Sequence, residues 1–381
     1  MRTVSSAGHV LLATDKFKGS LTAAEATAHL AAGLRRAVPG LGIRTIPVAD
    51  GGEGTVDAAV EAGFARVLTR ATGPTGAPIE AEFAVRGDTA VIEVAEASGL
   101  RGLPRGEAAP LSASSYGTGE LIRAALDAGC TRIILGLGGS ACTDGGAGLV
   151  QALGARLLDA DGEELPPGGA ALARLARVDL TESVRIRELI VACDVDNPLL
   201  GPNGAAAVYG PQKGATAEDV ALLDAALANW ARVVTNSTTY TDFAQTPGAG
   251  AAGGIGFAAL ALLGARLEPG IDIVLDLADF PAKAAGARLI ITGEGSLDRQ
   301  SLRGKAPAGV ARAAARSGVP VVAVAGVCTL TPAELEAAGF RAAYALADLE
   351  PDLDRCVLDA GPLLERLAAG LPVDTITGAA S

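Results

Sequence analysis

The sequence predicts an α/β protein in which a discontinuous parallel-sheet domain, residues 1–65 plus 288–381, is interrupted by a mixed α/β domain, residues 66–287. Three observations carry this expectation. At both ends of the chain short apolar runs alternate with longer segments rich in strong helix formers. From residue 66 onward apolar and polar residues alternate between Gly and Pro turns, the pattern of antiparallel strands. The opening stretch holds too few strands for a sheet of its own, and strand–helix units of the same kind return late in the chain to complete it. A length of 381 residues also favours two domains over one.

The elements follow in order. "HVLLAT" is the first strand, and "TAAEATAHLAAGLRRAV" is a helix whose start is marked by Thr22 and Glu25 at capping-box spacing. "IRTIPVAD" is a second strand, and "GGEGTVDAAVEAG" is a glycine turn running into a helix. The alternating stretch ending at "EASG" forms the meander, followed by the helix "GTGELIRAALDAG" and the strand "RIILGLGGS". A glycine turn leads into "AGLVQALGARLL", and "RELIVACDVDNPL" is a strand that ends in acids. "AEDVALLDAALANWARVVTNS" reads as a long helix, and "PGAGAAGGIGFAALALLGARL" as a glycine loop entering a buried one. "ARLIITGEGSLDRQSLRGKAPAGVARAAARSG" repeats strand, polar loop and helix, before the strand "VPVVAVAGV".

Composition narrows the function. Aromatic residues are only 3% while glycine numbers 50, so the core rests on Ala, Val, Leu and Ile in close helix-on-sheet packing. The net charge of −12 argues against a nucleic-acid partner, and an anionic substrate would need locally placed cations. No apolar run reaches the roughly 18–20 residues of a membrane span, and the N-terminal segment lacks a signal-peptide pattern. A cytoplasmic location is expected. Five cysteines lie without CxxC or Cys/His spacing and read as buried small hydrophobes. The two histidines, His9 and His29, supply little for a Ser–His–Asp or His-ligated metal mechanism. No motif specifies an oligomeric state.

Polar clusters sit at strand ends, where open parallel sheets bind ligands. "DKFKGS" sets Lys16 and Lys18 beside a helix N-terminus, with Gly19 and Ser20 permitting close approach to a carboxylate or phosphate; its plainer reading is a solvated loop. In "VADGGEGT" Asp50 ends a strand, and Glu53 is a site residue or a helix cap. "GLGGSACTDGGAG" matches neither GxGxxG nor GxxxxGK[ST] cleanly, yet Ser140, Thr143 and Asp144 offer hydroxyls and an acid; a tight turn is the alternative. "CDVDNP" places Asp194 and Asp196 on one face of an extended segment, where a divalent cation or an ammonium would relieve their repulsion. "TGEGSLDRQSLRGKAP" gathers Glu294, Ser296, Asp298, Arg303 and Lys305, a set suited to Mg²⁺ and phosphate oxygens or to a surface salt-bridge cluster. Gly253 and Gly254 either admit a nucleotide near backbone amides or simply pack tightly.

Taken together, "DKFKGSLTAAEA", "PVADGGEGT", "GLGGSACTDGGAG", "CDVDNPLLGPNGAAAVYGPQKGA" and "ITGEGSLDRQSLRGKAP" resemble the type-1 glycerate kinase family, in order, over residues 10 to 370. The resemblance implies a flavodoxin-like domain interrupted by a second α/β domain. It also implies phosphorylation of D-glycerate with ATP and Mg²⁺, usually at the 2-hydroxyl. The first motif departs from the usual "PDSFKG" by carrying Lys16 at the serine position.

On this reading Lys18 with Lys16, and Arg303 or Lys305, neutralise charge on the transferred group. Asp194 accepts the hydroxyl proton, and Asp196 or Asp298 holds Mg²⁺. Asp50 and Glu294 compete for either acid role, and Gly253, Gly254, Gly293, Glu294 and Ser296 contact the nucleotide. Ser20, Ser140, Thr143 and Asp144 contact the substrate. The expected place of reaction is a cleft whose closure excludes water. The rival class is a ligand-binding protein with the same groups and no turnover. Within enzymes, the rivals are a kinase giving 3-phosphoglycerate and one acting on another small hydroxy acid.

Overall fold

The structure of the protein, a computed structural model, describes residues 8–46, 48–49, 51–104, 106–237 and 241–377. In chain order its strands are β1 (His9–Thr14), β2 (Ile43–Thr45), β3 (Ala65–Thr72), β4 (Pro78–Arg86), β5 (Thr89–Glu93), β6 (Arg132–Gly136) and β7 (Arg156–Leu158). They continue with β8 (Arg177–Asp179), β9 (Glu188–Ala192), β10 (Arg266–Glu268), β11 (Ala287–Leu297), β12 (Val321–Cys328) and β13 (Ala342–Ala345). The chain divides into two compact units, Met1–Asp50 with Ile271–Ser381 and Gly51–Gly270.

The first unit is built on a five-stranded sheet in the order β13-β12-β11-β1-β2, parallel throughout. Counted within the unit, the order is 2-1-3-4-5, which is flavodoxin-like and reverses direction between β1 and β11. Every residue of β1 is buried, as a central parallel strand sheathed on both faces requires. The helix Ala23–Ala37 starts at the expected capping box: Thr22 Oγ1 accepts from the Glu25 amide, and the Glu25 carboxylate accepts from the Thr22 amide. Its buried face, including Leu30 and Leu34, packs with Leu364 and Ala368 of the helix Ala360–Ala369. A Cβ on Gly33 would lie 2.3 Å from the Glu365 carbonyl oxygen, so only glycine permits this approach. Small residues substitute for bulk in a chain so poor in aromatics.

The second unit carries a six-stranded sheet, β10-β9-β6-β5-β4-β3. β3, β4 and β5 form the antiparallel meander, while β5, β6, β9 and β10 run parallel. β7 and β8 make a separate antiparallel pair. Trp230, fully buried on the helix Ala217–Ser237, meets Phe257 edge-on at 6.3 Å and donates its ring N–H to the Gly145 carbonyl at 3.0 Å. One large side chain thereby fixes a glycine loop to the core.

The unit boundaries fall at 50/51 and 270/271, not at 65/66 and 287/288. The helix Thr55–Glu61 belongs with the second unit because the amides of Gly54 and Val56 donate to Glu93 on β5. Ile271 belongs with the first: a Cβ on Gly309 would lie 2.4 Å from its side chain.

Candidate active site

Each unit carries a cluster at the carboxyl ends of its parallel strands. In the first unit these are the ends of β1 and β11, where the strand order reverses and such folds bind ligands. Phe17 is buried, and it exchanges backbone hydrogen bonds with Leu21 across a turn in which Gly19 takes a φ of +86°. Burying the ring pins the turn, leaving Lys18 exposed and Lys16 half-buried. Ser20 Oγ donates to the Phe17 carbonyl at 3.0 Å, so that hydroxyl serves the turn itself. Beside it, a Cβ at Gly295 would stand 3.3 Å from the Lys18 amide nitrogen, which explains the glycine there.

Glu294 is buried on β11, and Lys305 brings its ammonium within 3.8 Å of the carboxylate. Lys305 is also the N-cap of the helix Ala306–Ser317. Asp298 accepts from the amides of Gln300 (2.7 Å) and Ser301 (3.0 Å), and the Ser301 bond most strongly holds its carboxyl below the usual range. Ser296 is exposed, and Arg303 ends the short turn Ser301–Arg303. A Cβ at Gly293 would strike the Val324 carbonyl at 2.2 Å, so this glycine serves strand packing.

In the second unit the loop after residue 50 lies across β6 and β9. A Cβ at Gly51 would come within 2.6 Å of Ala192, one at Gly136 within 2.5 Å of the Gly51 carbonyl, and one at Gly138 within 2.5 Å of Gly52. Backbone therefore rests directly on backbone. Glu53 pairs with Arg101. The anchor beneath the loop is Glu93, 4% exposed, which accepts from Gly54 (3.0 Å) and Val56 (2.7 Å). Burial pushes its pKa up to about 7; the Val56 hydrogen bond opposes the rise and the charge of Glu96 adds to it.

A folded-state pKa above the unfolded value of 4.5 means that the native state holds this proton more tightly. The resulting stabilisation is complete below pH 4.5 and is lost as pH rises through about 7. Glu93→Gln keeps an oxygen for the two amides and removes the titration. The urea midpoint of the wild type is expected to fall between about pH 5 and about pH 8 more steeply than that of the variant. Parallel profiles would assign the pH dependence to other groups.

The loop after β6 is organised by Asp144, which is fully buried and accepts from the amides of Ser115, Gly146 and Gly148 and from the Ser115 hydroxyl, at 2.8 to 3.1 Å. Four donors make it the loop's internal ligand. Thr143 is buried, and its Oγ1 has no hydrogen-bond partner among the described residues. Gly253 and Gly254, with Ala252, adopt left-handed conformations. A Cβ on Gly253 would lie 2.0 Å from the Cys142 carbonyl and one on Gly254 2.7 Å from Gly145 Cα. The Gly253 carbonyl accepts from the Gly145 amide. Both glycines pack loop on loop. Lys213, 3% exposed, donates to Ser140 Oγ at 3.0 Å and to the Cys142 carbonyl at 2.5 Å.

Asp194 and Asp196 follow β9, and both are exposed. Asp194 Oδ1 accepts from the Gly270 amide at 3.0 Å, which orients the carboxylate. Among the described residues no group of three or more His, Cys, Asp or Glu side chains gathers for a metal. Magnesium carried on nucleotide phosphates needs only one or two carboxylates, hard oxygen donors such as Asp196 and Asp298.

Of the expected site residues, Lys16, Lys18, Glu294 and Lys305 stand at the carboxyl ends of neighbouring strands of the first unit. Ser140, Thr143 and Asp144 share one loop of the second, with Asp194 after the neighbouring β9. Asp50 lies outside the described residues. Glu93 and Lys213 were missed. An acid closing the apolar run "AVIE" was the available signal for the first, and a lysine amid glycine and proline in "GPQKGA" for the second.

The glycerate kinase family pattern matches residues 10–373. A glycerate kinase of Bacillus subtilis is 47% identical over 94% of this chain and 95% of its own. A glycerate 2-kinase of Escherichia coli K12 is 45% identical over 84% of this chain and 85% of its own. A crystal structure from Salmonella typhimurium LT2, named provisionally as glycerate kinase 2, superposes with a TM-score of 0.82 at 43% identity and covers 96% of this chain and 98% of that one.

Proposed function

Because the chain belongs to the glycerate kinase family, phosphotransferases with an alcohol group as acceptor, we propose that it transfers the terminal phosphoryl group of ATP to the 2-hydroxyl of D-glycerate. The 2-hydroxyl reading is supported by the similarity to the Escherichia coli protein named glycerate 2-kinase. The observation that carries the chemistry is the grouping of Lys16, Lys18, Lys305 and Glu294 around the strand-order reversal of an otherwise acidic protein.

Phosphoryl transfer asks a protein mainly for positioning and for neutralisation of charge. Lys18, exposed on a turn pinned by Phe17, and Lys16 offer ammonium groups to the carboxylate of glycerate or to the phosphate in transfer. Lys305 adds positive charge at the N-terminus of the Ala306–Ser317 helix, whose free amides favour an anion, and Arg303 is the second cation that the motif offers. Glu294 orients Lys305. Asp194, with one oxygen held by the Gly270 amide, takes the proton from the glycerate hydroxyl on the other. Asp196 or Asp298 would hold Mg²⁺, which when bound neutralises phosphate charge. A cytoplasmic setting supplies both substrates.

The test is ADP formation by the purified protein with MgATP, with and without D-glycerate. Turnover that depends on D-glycerate supports the reading. ATP hydrolysis indifferent to the acid, or no turnover, contradicts it and favours a binding protein.

A further inference from the structure

Among the described residues Lys213 is a buried cation that makes no direct ion pair. Among the described residues its only partners are the Ser140 hydroxyl and the Cys142 carbonyl, and both are neutral. Asp144, the carboxylate that acts on it electrostatically, spends its oxygens on four other donors. Burial of an unpaired ammonium costs several kcal/mol unless an opposite charge arrives. Two donors are also left open. An ammonium has three N–H groups, of which two are used here. Ser140 Oγ accepts from Lys213, so its own proton must point elsewhere, and it has no acceptor among the described residues. The neighbouring Thr143 hydroxyl, buried on the same loop, is unpartnered as well.

From this juxtaposition we infer that Lys213 is a positioning residue for the kinase reaction, turning the Ser140 hydroxyl outward as a donor to an anionic oxygen of the substrates and supplying positive charge behind it. The inference rests on the function proposed above. The ligand chemistry is an anionic oxygen, from the phosphates of ATP or the carboxylate of glycerate. The open hydroxyl of Ser140 makes the contact, and Lys213 acts through it. The cost of keeping the cation buried in the free protein is then offset when the anion binds, so affinity is stored in the loop. Burial also draws the pKa of Lys213 below the ordinary lysine value, with the charge of Asp144 opposing that shift.

A purely structural lysine predicts a different outcome from a functional one. Met matches the stem of Lys213 without its charge, and apolar replacement of a buried charge is often neutral or stabilising. For Lys213→Met we expect a Tm equal to or above that of the wild type, with kcat/KM lowered at least about tenfold. Ligand-induced Tm shifts, read separately with MgATP and with D-glycerate, identify the source of the anion: the shift lost in the variant belongs to the ligand that Ser140 contacts. The double variant with Ser140→Ala should lose much less than the product of the two single losses. The alkaline limb of the wild-type pH–rate profile should be absent in Lys213→Met. A variant within twofold of wild type that keeps both Tm shifts overturns the proposal. Should Lys213→Met not fold, Ser140→Ala decides: unchanged kinetics and unchanged Tm shifts overturn the proposal, and a tenfold loss supports it. Absence of D-glycerate-dependent turnover in the wild type would instead overturn the parent reading, and the Tm shift with MgATP still reports on Lys213.

Discussion

Asp194→Asn is expected to lower kcat about a thousandfold and leave ATP binding intact, the size of effect usual when a positioned general base is removed. The substitution is informative because of what it preserves. The asparagine side-chain oxygen still accepts from the Gly270 amide, so the segment after β9 keeps its anchor and only the basicity is lost. Steady-state kinetics combined with calorimetric titration of ATP separates the two quantities. Turnover near wild type would remove Asp194 from the base role and pass it to Asp50 or Glu294, the two carboxylates expected from sequence to compete for it. Weakened ATP binding with normal kcat would make Asp194 a nucleotide contact.

The largest effect on stability is expected at Asp144. Asp144→Ala strips the acceptor from the amides of Ser115, Gly146 and Gly148 and from the Ser115 hydroxyl, all in a buried setting. Each stranded donor costs about 1–3 kcal/mol, and partial relaxation makes the total less than the sum, roughly 3–5 kcal/mol. For a unit of this size that corresponds to a Tm lower by roughly 10 °C, measurable by calorimetry. A normal Tm with a raised KM would return Asp144 to the substrate. The glycine loop it organises also holds Ser140, so activity should fall along with stability, and calorimetry distinguishes the cause.

Local features of this fold were readable from sequence and long-range ones were not. The capping box of Thr22 and Glu25, the buried strand His9–Thr14 and the meander over β3, β4 and β5 are each specified by neighbours in the chain. The family motifs carried the activity because they span the chain in order. Side-chain roles set by distant partners escaped. An acid in a glycine turn looks like a ligand-binding group, and only the fold brings Ser115, 29 residues away, to Asp144. Lys213 meets Ser140 from 73 residues away. Gly253 and Gly254 carry the same glycine signal as a nucleotide loop, and only the fold shows that they let one loop lie against another. The unit boundary moved for the same reason: the helix Thr55–Glu61 follows the first strands in sequence but takes its anchor from Glu93.

The position of the transferred phosphoryl group is the decisive point. Phosphorus NMR of the product formed from D-glycerate and MgATP reads this directly, since phosphorus on the C2 oxygen couples to one carbon-bound proton and phosphorus on the C3 oxygen to two. Transfer to the 2-hydroxyl predicts one new phosphomonoester resonance, split into a doublet, that grows only when D-glycerate is present. A triplet in its place, or a spectrum showing only ADP and inorganic phosphate, would contradict it.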